Sequence, residues 1–226
     1  IKLFVVPFVT LIVMVPLTYL VIGPIASILC SILSLFFNAI YSIPVVGGLI
    51  GGVLIGAFWQ VLVIFGLHWS LVPLAMINYS LLGYDFILSP YFCVSFAQTF
   101  VVLAIVLKTK DEKLKKVALP AFISGLFGIT EPAIYGVTLP KKKPFVISCL
   151  ASAVSLGVKR YSMGGLGIFA LATYLNPETQ SFYDVSWSVV AILVGMAVSF
   201  VITFITYKDE VKAEPTAAEV AAAEAE

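Results

Sequence analysis

Two ionisable side chains stand in long apolar stretches of this sequence, and they are the first candidates for chemistry. Glu131 lies in GLFGITEPAIYGVTLP (125–140), and His68, the single histidine, lies in FWQVLVIFGLHW (58–69). A carboxylate accepts hydrogen bonds from the hydroxyl groups of a polyol, while an imidazole can donate to a sugar oxygen or relay a proton. Ionisable groups at membrane depth are costly and usually face a cavity or a pathway.

Both residues also have a structural interpretation. Thr130, Glu131 and Pro132 resemble the start of a helix, with Thr as the cap and Glu and Pro in the first turn. Glu131 would then stabilise a hairpin by capping backbone N–H groups or by pairing with a lysine, a role compatible with ligand binding. His68 would bond a neighbouring backbone carbonyl.

Three further side chains in the same region are polar or aromatic. Trp69 offers a flat face for a sugar ring, although Trp is also a common anchor at the membrane interface. Gln60 and Asn78 are weaker candidates for polar contacts. The sequence has no Gly-rich phosphate loop for ATP and no cluster of His, Cys and acidic residues for a metal. With one histidine, a His-bearing triad elsewhere is excluded, so we predict no catalytic residue, metal or cofactor in this chain.

The composition is that of a membrane protein. The 226 residues are 61% hydrophobic and 11% charged, with a mean hydropathy of +1.10, whereas soluble domains have about 25% charged residues. No charged residue occurs from Leu3 to Tyr84, which indicates several crossings or re-entrant pieces, since a helix spans the bilayer with about 20 apolar residues. Residues 86–107 and 185–207 each fit one span, whereas 144–158 is short for one. A net charge of +1 gives no reason to expect a nucleic-acid partner.

The lysines give a clue to topology. Clusters at 108–116 and 141–143 flank the apolar segment that holds Glu131, and short cytoplasmic loops are enriched in Lys and Arg. If both clusters are cytoplasmic, the segment enters the membrane and returns as a re-entrant hairpin, with Gly125, Gly128 and Pro132 supplying the break. Non-helical backbone at that depth must line a cavity or pack against protein. The alternative is a single span that departs from the positive-inside trend.

The chain divides into a membrane part and a tail. Residues 1–207 form the predicted membrane domain, and 208–226 (KDEVKAEPTAAEVAAAEAE) are typical of a solvated Ala/Glu-rich linker toward a soluble domain. The first residue is Ile and the apolar run has already begun. We therefore expect that this is the C-terminal portion of a longer protein.

Three stretches carry a family resemblance: FWQVLVIFGLHW (58–69), LVPLAMINYSLLGYD (71–85) and LFGITEPAIYGVTLPKKKPF (126–145). They resemble the enzyme IIC membrane domain of the bacterial sugar phosphotransferase system, glucose superfamily, and within it the β-glucoside-specific permeases. The GITEP motif is highly specific to that superfamily. The resemblance extends to about residue 207 and covers about the latter half of a IIC domain. It implies an all-α fold of polytopic transmembrane helices with a re-entrant hairpin carrying GITEP.

The resemblance also implies a mechanism. A IIC domain binds a sugar in a membrane cavity and moves it across the cell membrane by an elevator-like transition. A phosphocysteine on a separate IIB domain phosphorylates the sugar 6-hydroxyl, with phosphate supplied from phosphoenolpyruvate through IIA, and IIC domains form homodimers. By motif, the expected sugar-binding residues are Glu131, His68, Thr130, Gly128, Ile129 and Trp69.

This sequence departs from the family pattern in three ways. It lacks the IIB cysteine motif, so we expect no phosphate transfer by this chain alone, and it lacks the first transmembrane helices. The stretch SAVSLGVKRYSMGG (152–165) around Lys159 is several residues shorter than in the family, which puts transport in doubt. The alternatives are a sucrose- or trehalose-type permease, a non-phosphorylating sugar carrier, or an inactive truncated fragment.

Overall fold

The protein is helical throughout the part of the chain that the structure describes. This computed structural model describes residues 2–44, 46–155 and 158–209, and within them the prediction of an all-α fold is confirmed, since the only β-type pairing is an isolated bridge between Asp85 and Arg160. The α-helices, in chain order, are α1 (Lys2–Leu17), α2 (Gly23–Tyr41), α3 (Gly47–Ile64), α4 (Leu71–Leu82), α5 (Tyr91–Lys108), α6 (Glu112–Leu126), α7 (Glu131–Ala133), α8 (Lys143–Ser152) and α9 (Tyr183–Thr206).

Four helical stretches of the described chain are long and apolar enough to cross a membrane: Lys2–Leu29, Gly47–Ile64, Tyr91–Lys108 and Tyr183–Thr206. The last two agree with the spans expected at 86–107 and 185–207. By contrast, α8 has only 10 residues, about 15 Å of helix. The expectation that 144–158 is too short for a crossing therefore holds for the helix itself. Leu156 and Gly157, in the shortened stretch near Lys159, lie outside the described residues.

The first helical stretch is nearly continuous from Lys2 to Tyr41, broken only by a π-helical turn at Thr18–Ile22. Two prolines lie inside α1, and the turn follows the second, Pro16. A proline inside a helix removes a backbone donor and displaces the preceding carbonyl, which explains the change in hydrogen bonding. The apolar side chains of α1 are all exposed, so this stretch presents an apolar surface to its surroundings.

The apolar run at 45–77 does not form one helix. Gly66 has φ +71°, a left-handed conformation that ends α3 and begins a 3₁₀ turn at Leu67–Ser70. Glycine adopts this conformation without the Cβ penalty of other residues. His68 therefore does not lie late in the apolar helix α3, because the chain turns at Gly66 and places His68 on the 3₁₀ turn between α3 and α4.

The glycines of α3 allow neighbouring segments to approach its backbone. A Cβ built on Gly51 would lie 2.5 Å from the Tyr41 ring, and one built on Gly56 would lie 2.2 Å from the carbonyl oxygen of Ser152 in α8. Small residues at this spacing bring helices together in lipid. Gly51 and Gly56 thus serve as packing residues.

The centre of the molecule is α5, which packs against α3, α6, α8 and α9. Its buried side chains include Val101, Val102 and Ile105, which are fully buried against α6. Gly125 lets α6 come close, since a Cβ there would lie 2.2 Å from the hydroxyl oxygen of Thr99. The segment that holds Glu131 is therefore attached to the most buried helix of the described chain.

Both lysine clusters lie at one end of α9. The Lys108 ammonium donates hydrogen bonds to the carbonyl oxygens of Phe204 and Ile205, which are otherwise unpaired at a helix C-terminus. The Lys141 ammonium lies 5.5 Å from the centroid of the Tyr207 ring. We refer to this side of the molecule as the basic end.

The start of the predicted linker is tied to the basic end. Asp209 accepts hydrogen bonds from the Lys110 backbone N–H (2.7 Å) and the Thr109 hydroxyl (2.6 Å). These two donors hold the pKa of the Asp209 carboxyl below its usual range, so the carboxylate is ionised at neutral pH. Residues 210–226 lie outside the described residues, and the linker assignment for 208–226 stays a prediction.

The close approach at Gly56 generates a stability prediction. We expect Gly56→Ala to lower the free energy of unfolding by about 1–3 kcal/mol, the usual cost of forcing a methyl group into a packed interior. Thermal unfolding in detergent measures this change. The control is Gly164→Ala, where the nearest atom to an added Cβ is 3.9 Å away. Equal melting temperatures for the two variants would contradict close packing at Gly56.

Candidate functional site

A cavity of about 560 Å³ lies at the opposite end of α5 from Lys108. Four segments enclose it: the C-terminal part of α3 with the 3₁₀ turn after it, the start of α5, the turn between α6 and α7, and the loop that begins at Arg160. The lining residues are Trp59, Val63, His68, Trp69, Val72, Leu88, Tyr91, Gly128, Ile129, Thr130, Glu131, Pro132, Arg160, Met163 and Leu166.

The six residues expected from the sequence to bind sugar all line this one cavity. Separate stretches of sequence contribute them, since His68 and Trp69 precede α4 and the other four surround the start of α7. Their proximity agrees with a common site. Their role in binding a sugar stays a prediction.

The turn between α6 and α7 is fixed by bonds to its backbone. Gly128 has φ +87°, and its carbonyl oxygen accepts a hydrogen bond from the Tyr91 hydroxyl at the start of α5. The Ser124 hydroxyl lies 3.1 Å from the carbonyl oxygen of Ile129. A Cβ at Gly128 would lie 2.5 Å from the backbone nitrogen of Gly167, so only glycine fits here. This turn is the break that Gly125, Gly128 and Pro132 predicted.

The local structure around Glu131 matches the predicted helix start, with one difference. Thr130 occupies the N-cap position, Glu131 begins α7 and Pro132 lies in its first turn. However, the Thr130 side chain makes no capping hydrogen bond, because its backbone is near the helical region (φ −101°, ψ −9°) rather than extended as a capping residue usually is. A π-helical turn at Ile134–Thr138 then continues the segment.

The carboxylate of Glu131 is available to a ligand. The side chain is exposed to the cavity, and none of the described residues forms an ion pair or a hydrogen bond with it. The proposed pairing with a lysine is therefore not formed within the described chain, since the ion pair found there joins Lys115 and Glu112. Both carboxylate oxygens remain free to accept hydrogen bonds from hydroxyl groups.

His68 faces the same cavity among aromatic rings. Its ring centroid lies 6.0 Å from that of Trp59 and 5.8 Å from that of Trp69. Its Nδ1 atom is buried and has no hydrogen-bond partner in the part of the chain that the structure describes. The ring interacts with the backbone carbonyl of Leu62, in keeping with the predicted bond to a neighbouring carbonyl. Nδ1 itself has no partner among the described residues, which is costly for a buried polar atom.

Arg160 is a lining residue that sequence reasoning missed. Its side chain is only 3% exposed, and its Nε donates to the Thr173 hydroxyl oxygen (3.0 Å). Its Nη2 donates to the carbonyl oxygens of Gly164 (3.1 Å) and Gly165 (3.2 Å). The planar fork of an arginine suits several fixed acceptors at once, so the loop from residue 160 to 166 folds around this guanidinium.

A backbone bridge attaches that loop to the rest of the site. The N–H groups of Asp85 and Arg160 each donate to the other's carbonyl oxygen at 2.7 Å. The buried carboxylate of Asp85 accepts from the Asn78 side-chain amide (2.7 Å) and the Leu88 N–H (2.8 Å). Asn78 thus holds the Asp85 carboxylate in place but does not line the cavity itself. Gln60 does not line the cavity either, and its side chain donates to the carbonyl of Val94 (3.4 Å).

The sequence matches a known family model. The model for the phosphotransferase system, EIIC, matches residues 1–153. The chain belongs to this EIIC family. With four helices long and apolar enough to cross a bilayer among the described residues, this EIIC chain is a multi-pass membrane domain. No solved structure matches it.

Several curated proteins are similar to this EIIC chain. A β-glucoside-specific EIIBCA component of Halalkalibacterium halodurans is 50% identical over 78% of the chain and 28% of the relative. The corresponding component of Dickeya chrysanthemi is 37% identical over 91% of the chain and 32% of the relative. A sucrose-specific EIIBC component of Vibrio alginolyticus is 28% identical over 84% of the chain and 39% of the relative. The chain thus spans about a third of the length of these relatives.

The arrangement in this EIIC chain brings together complementary chemistry. Glu131 supplies acceptors, Arg160 supplies a buried cation, His68 supplies an imidazole, and Trp59 and Trp69 supply flat apolar faces. Small-molecule sites are typically cavities of about 300–1,000 Å³ with mostly apolar walls and a few placed polar groups. The cavity has the size and lining to orient a small polyol.

One signal in the sequence could have identified Arg160. It is the chain's single arginine, whereas the other twelve basic residues are lysines. An arginine in place of lysine is favoured where planar, multidentate hydrogen bonding is needed. Its partners at Thr173 and in the 163–165 loop follow only from the fold.

The bonding of Arg160 generates a prediction for its loop. We expect Arg160→Gln to speed amide hydrogen exchange in residues 161–166, because the carbonyls that the guanidinium satisfies lose their donor, at a cost of about 1–3 kcal/mol. Mass spectrometry of the exchanged protein locates the effect. The control, Lys159→Gln, removes the same charge from an exposed neighbour whose ammonium only packs over the Tyr84 ring at 4.2 Å. Equal exchange in both variants would contradict this role for Arg160.

Proposed function

We propose that this chain is the sugar-binding and translocating membrane part of a β-glucoside permease of the phosphotransferase system. The observation that carries the proposal is the unpaired carboxylate of Glu131 in a cavity that also contains His68 and Arg160. A carboxylate and a guanidinium that line the same cavity can bind a neutral polyol through hydrogen bonds of opposite direction. The sugar needs no charge of its own.

The walls of the cavity suit a sugar ring in a second way. Sugars have apolar C–H faces, and the indole rings of Trp59 and Trp69 offer apolar surface on which such a face can pack. The imidazole of His68 adjoins both indoles, with its ring centroid 6.0 Å from that of Trp59 and 5.8 Å from that of Trp69. We propose that Glu131, His68 and Arg160 bind hydroxyl groups while the tryptophans hold the ring. Thr130, Gly128 and Ile129 supply the adjoining backbone.

The relatives favour β-glucosides as the substrate class. The relatives with 50% and 37% identity are β-glucoside-specific components, whereas the sucrose-specific component of Vibrio alginolyticus has 28%. Loops that carry binding residues vary more among homologues than the helices that they connect. The higher identity therefore supports a β-glucoside, and sucrose serves as the discriminating ligand in the test below.

We also propose that residues 117–140 form a re-entrant hairpin. Lys108 and Lys141, which precede and follow this segment, both lie at the basic end. The turn at Gly128 lies at the other end of α5, against Tyr91. A segment that leaves one end of a span, turns beside its far end and returns has not crossed the membrane. The basic end is then cytoplasmic, in keeping with the positive-inside trend.

Uptake is coupled to phosphorylation in this proposal. A separate IIB domain supplies a phosphocysteine for the sugar 6-hydroxyl on the cytoplasmic side, and IIA supplies IIB with phosphate that originates from phosphoenolpyruvate. This chain contributes the binding and movement of the sugar, needs no cofactor for that task, and acts as a homodimer. Chemical cross-linking in the membrane tests the homodimer.

The sugar site is tested by binding. We expect Glu131→Gln and His68→Ala each to weaken binding of the β-glucosides salicin and arbutin by about 5- to 150-fold, since an unpaired polar group in the site costs about 1–3 kcal/mol. Because Trp59 and Trp69 line the cavity, intrinsic fluorescence reports occupancy. The assay uses a chimera in which this chain replaces the matching segment of the Halalkalibacterium halodurans relative.

The control for the sugar site is Glu112→Gln, which removes an exposed carboxylate at the start of α6, away from the cavity. It should bind salicin with unchanged affinity. Wild-type affinity in both Glu131→Gln and His68→Ala would rule out this site. Tighter binding of sucrose than of salicin would transfer the substrate assignment to the sucrose class.

The hairpin is tested by labelling in intact cells. In a chain whose native cysteines are replaced by serine, we expect Lys113→Cys and Lys142→Cys to react with a membrane-impermeant maleimide only after the cells are opened. Thr179→Cys, in the exposed loop before α9, should react from outside, because α9 crosses the membrane between it and the basic end. Labelling of Lys113→Cys and Lys142→Cys from opposite sides would show a single span instead.

A further inference from the structure

A second cavity, of about 360 Å³, lies at the basic end, between the start of α8 and the end of α9. Four lysines line it, namely Lys141, Lys142, Lys143 and Lys208, which we call the cavity lysines. None of the residues that line the cavity at Glu131 also lines this one. It is a separate site that the proposed sugar function does not use.

The charges around this cavity are unbalanced. Within the described residues, no carboxylate forms an ion pair with a cavity lysine, since the ion pair found there joins Lys115 and Glu112. Asp209 interacts electrostatically with Lys141 and offsets part of the charge, while its carboxylate accepts hydrogen bonds from Thr109, the Lys110 N–H and the Tyr207 hydroxyl. One carboxylate against four lysines leaves an excess of positive charge. The cavity therefore concentrates positive charge in a concave space.

The start of α8 adds to this positive charge. Helix N-termini carry a partial positive charge and unpaired N–H groups, and natural helices usually place acidic residues there. The first turn of α8 has no acidic residue, and its N-cap, Lys142, makes no side-chain capping bond. Lysines at a helix N-terminus are unfavourable on their own, and an anion bound among them would remove the conflict.

A buried hydroxyl on the α9 side of the cavity gives an independent indication. Thr203 is fully buried and lines the cavity, yet its Oγ1 has no hydrogen-bond partner in the described chain. Thr206, three residues later, bonds the Ile202 carbonyl oxygen (2.6 Å) as helical threonines commonly do. A buried polar atom without a partner is rare in folded proteins and calls for an explanation. A ligand oxygen in the cavity would supply that partner.

We propose that this cavity binds the phosphate of an anionic phospholipid headgroup. Its position favours a lipid, because it lies where the apolar span of α9 ends, and the nearby side chains of Ile202 and Ile205 are exposed for acyl chains to cover. Ile147 adds apolar surface inside the cavity. The positive-inside trend explains why lysines occur at this end. It does not explain a concave site with an unpartnered hydroxyl, whereas basic pockets between membrane helices bind lipid headgroups.

The experiment measures lipid binding to the purified full chain in detergent by native mass spectrometry. The probes are dioleoylphosphatidylglycerol, which is anionic, and dioleoylphosphatidylcholine, which carries the same acyl chains without net charge. We expect the anionic lipid to bind at least about tenfold more tightly, in line with the contribution of each lysine near an anionic surface. The triple variant Lys141→Gln, Lys142→Gln and Lys143→Gln should lose this preference.

The matched control removes three lysines from the other cluster, as Lys113→Gln, Lys115→Gln and Lys116→Gln, none of which lines the cavity. It should retain the preference for the anionic lipid. Because charge removal can disturb insertion, Thr203→Val gives a second test that leaves every lysine in place. It should weaken binding of phosphatidylglycerol by about threefold, the loss of one modest hydrogen bond.

Five results would overturn the proposal. These are equal binding of the two lipids by the unaltered chain, equal loss in the cavity and control triple variants, and unchanged binding in Thr203→Val. The fourth is displacement of the lipid by millimolar inorganic phosphate, which would assign the cavity to a free phosphate. If binding appears only after residues 210–226, which contain five glutamates, are removed, the occupant is the chain's own tail. None of these results depends on sugar binding, so the proposed function is tested separately.

Discussion

The hydrogen bond from the Tyr91 hydroxyl to the carbonyl oxygen of Gly128 is the contact on which the cavity at Glu131 depends. A helix that breaks at membrane depth exposes backbone groups that lipid cannot satisfy. The turn after α6 solves this problem by placing its broken backbone against the start of α5, the most buried helix in the described chain. Glu131 is held at the cavity because the turn before it is held there.

The loop that carries Arg160 is held in a comparable way. The loop from residue 160 to 166 has little regular structure, yet three of its backbone carbonyls surround the guanidinium of Arg160. The same residue pairs through its backbone with Asp85, whose carboxylate closes the turn before α5. Both irregular segments are therefore anchored around α5, and the two opposite charges of the site are placed by separate anchors.

Much of the membrane architecture follows from composition and charge alone. The spans at α5 and α9 were visible as uncharged runs, and the break before Glu131 was visible from its glycines, its proline and the flanking lysines. These features are local, so a sequence displays them directly. The grouping of His68 and Trp69 with the GITEP residues came from family resemblance, because neither periodicity nor spacing shows which distant segments meet.

Other features depend on long-range contacts and could not be predicted. Gly66 looked like one more glycine in an apolar run, and only the fold shows that its left-handed backbone turns His68 toward the cavity. Arg160 lies in the stretch that drew attention only because it is shorter than in the family. A buried cation is recognisable only when its acceptors at Thr173 and in the following loop are known. Thr130 was placed correctly at a helix start, but its side-chain bond depends on a backbone angle that the residue type does not determine.

The length of α5 has a consequence for the proposed function. Tyr91 lines the cavity at Glu131 and Lys108 lies at the basic end, and the 18-residue helix that they begin and end separates them by about 26 Å along its axis. On the proposed function, a phosphocysteine on a domain docked at the basic end would not reach a sugar held beside Tyr91. The helix therefore acts as a spacer that keeps capture and chemistry apart. Under the same proposal, a sugar has to move by a distance of that order before it meets the phosphocysteine, and until then the chain can still release it unmodified to the side from which it came.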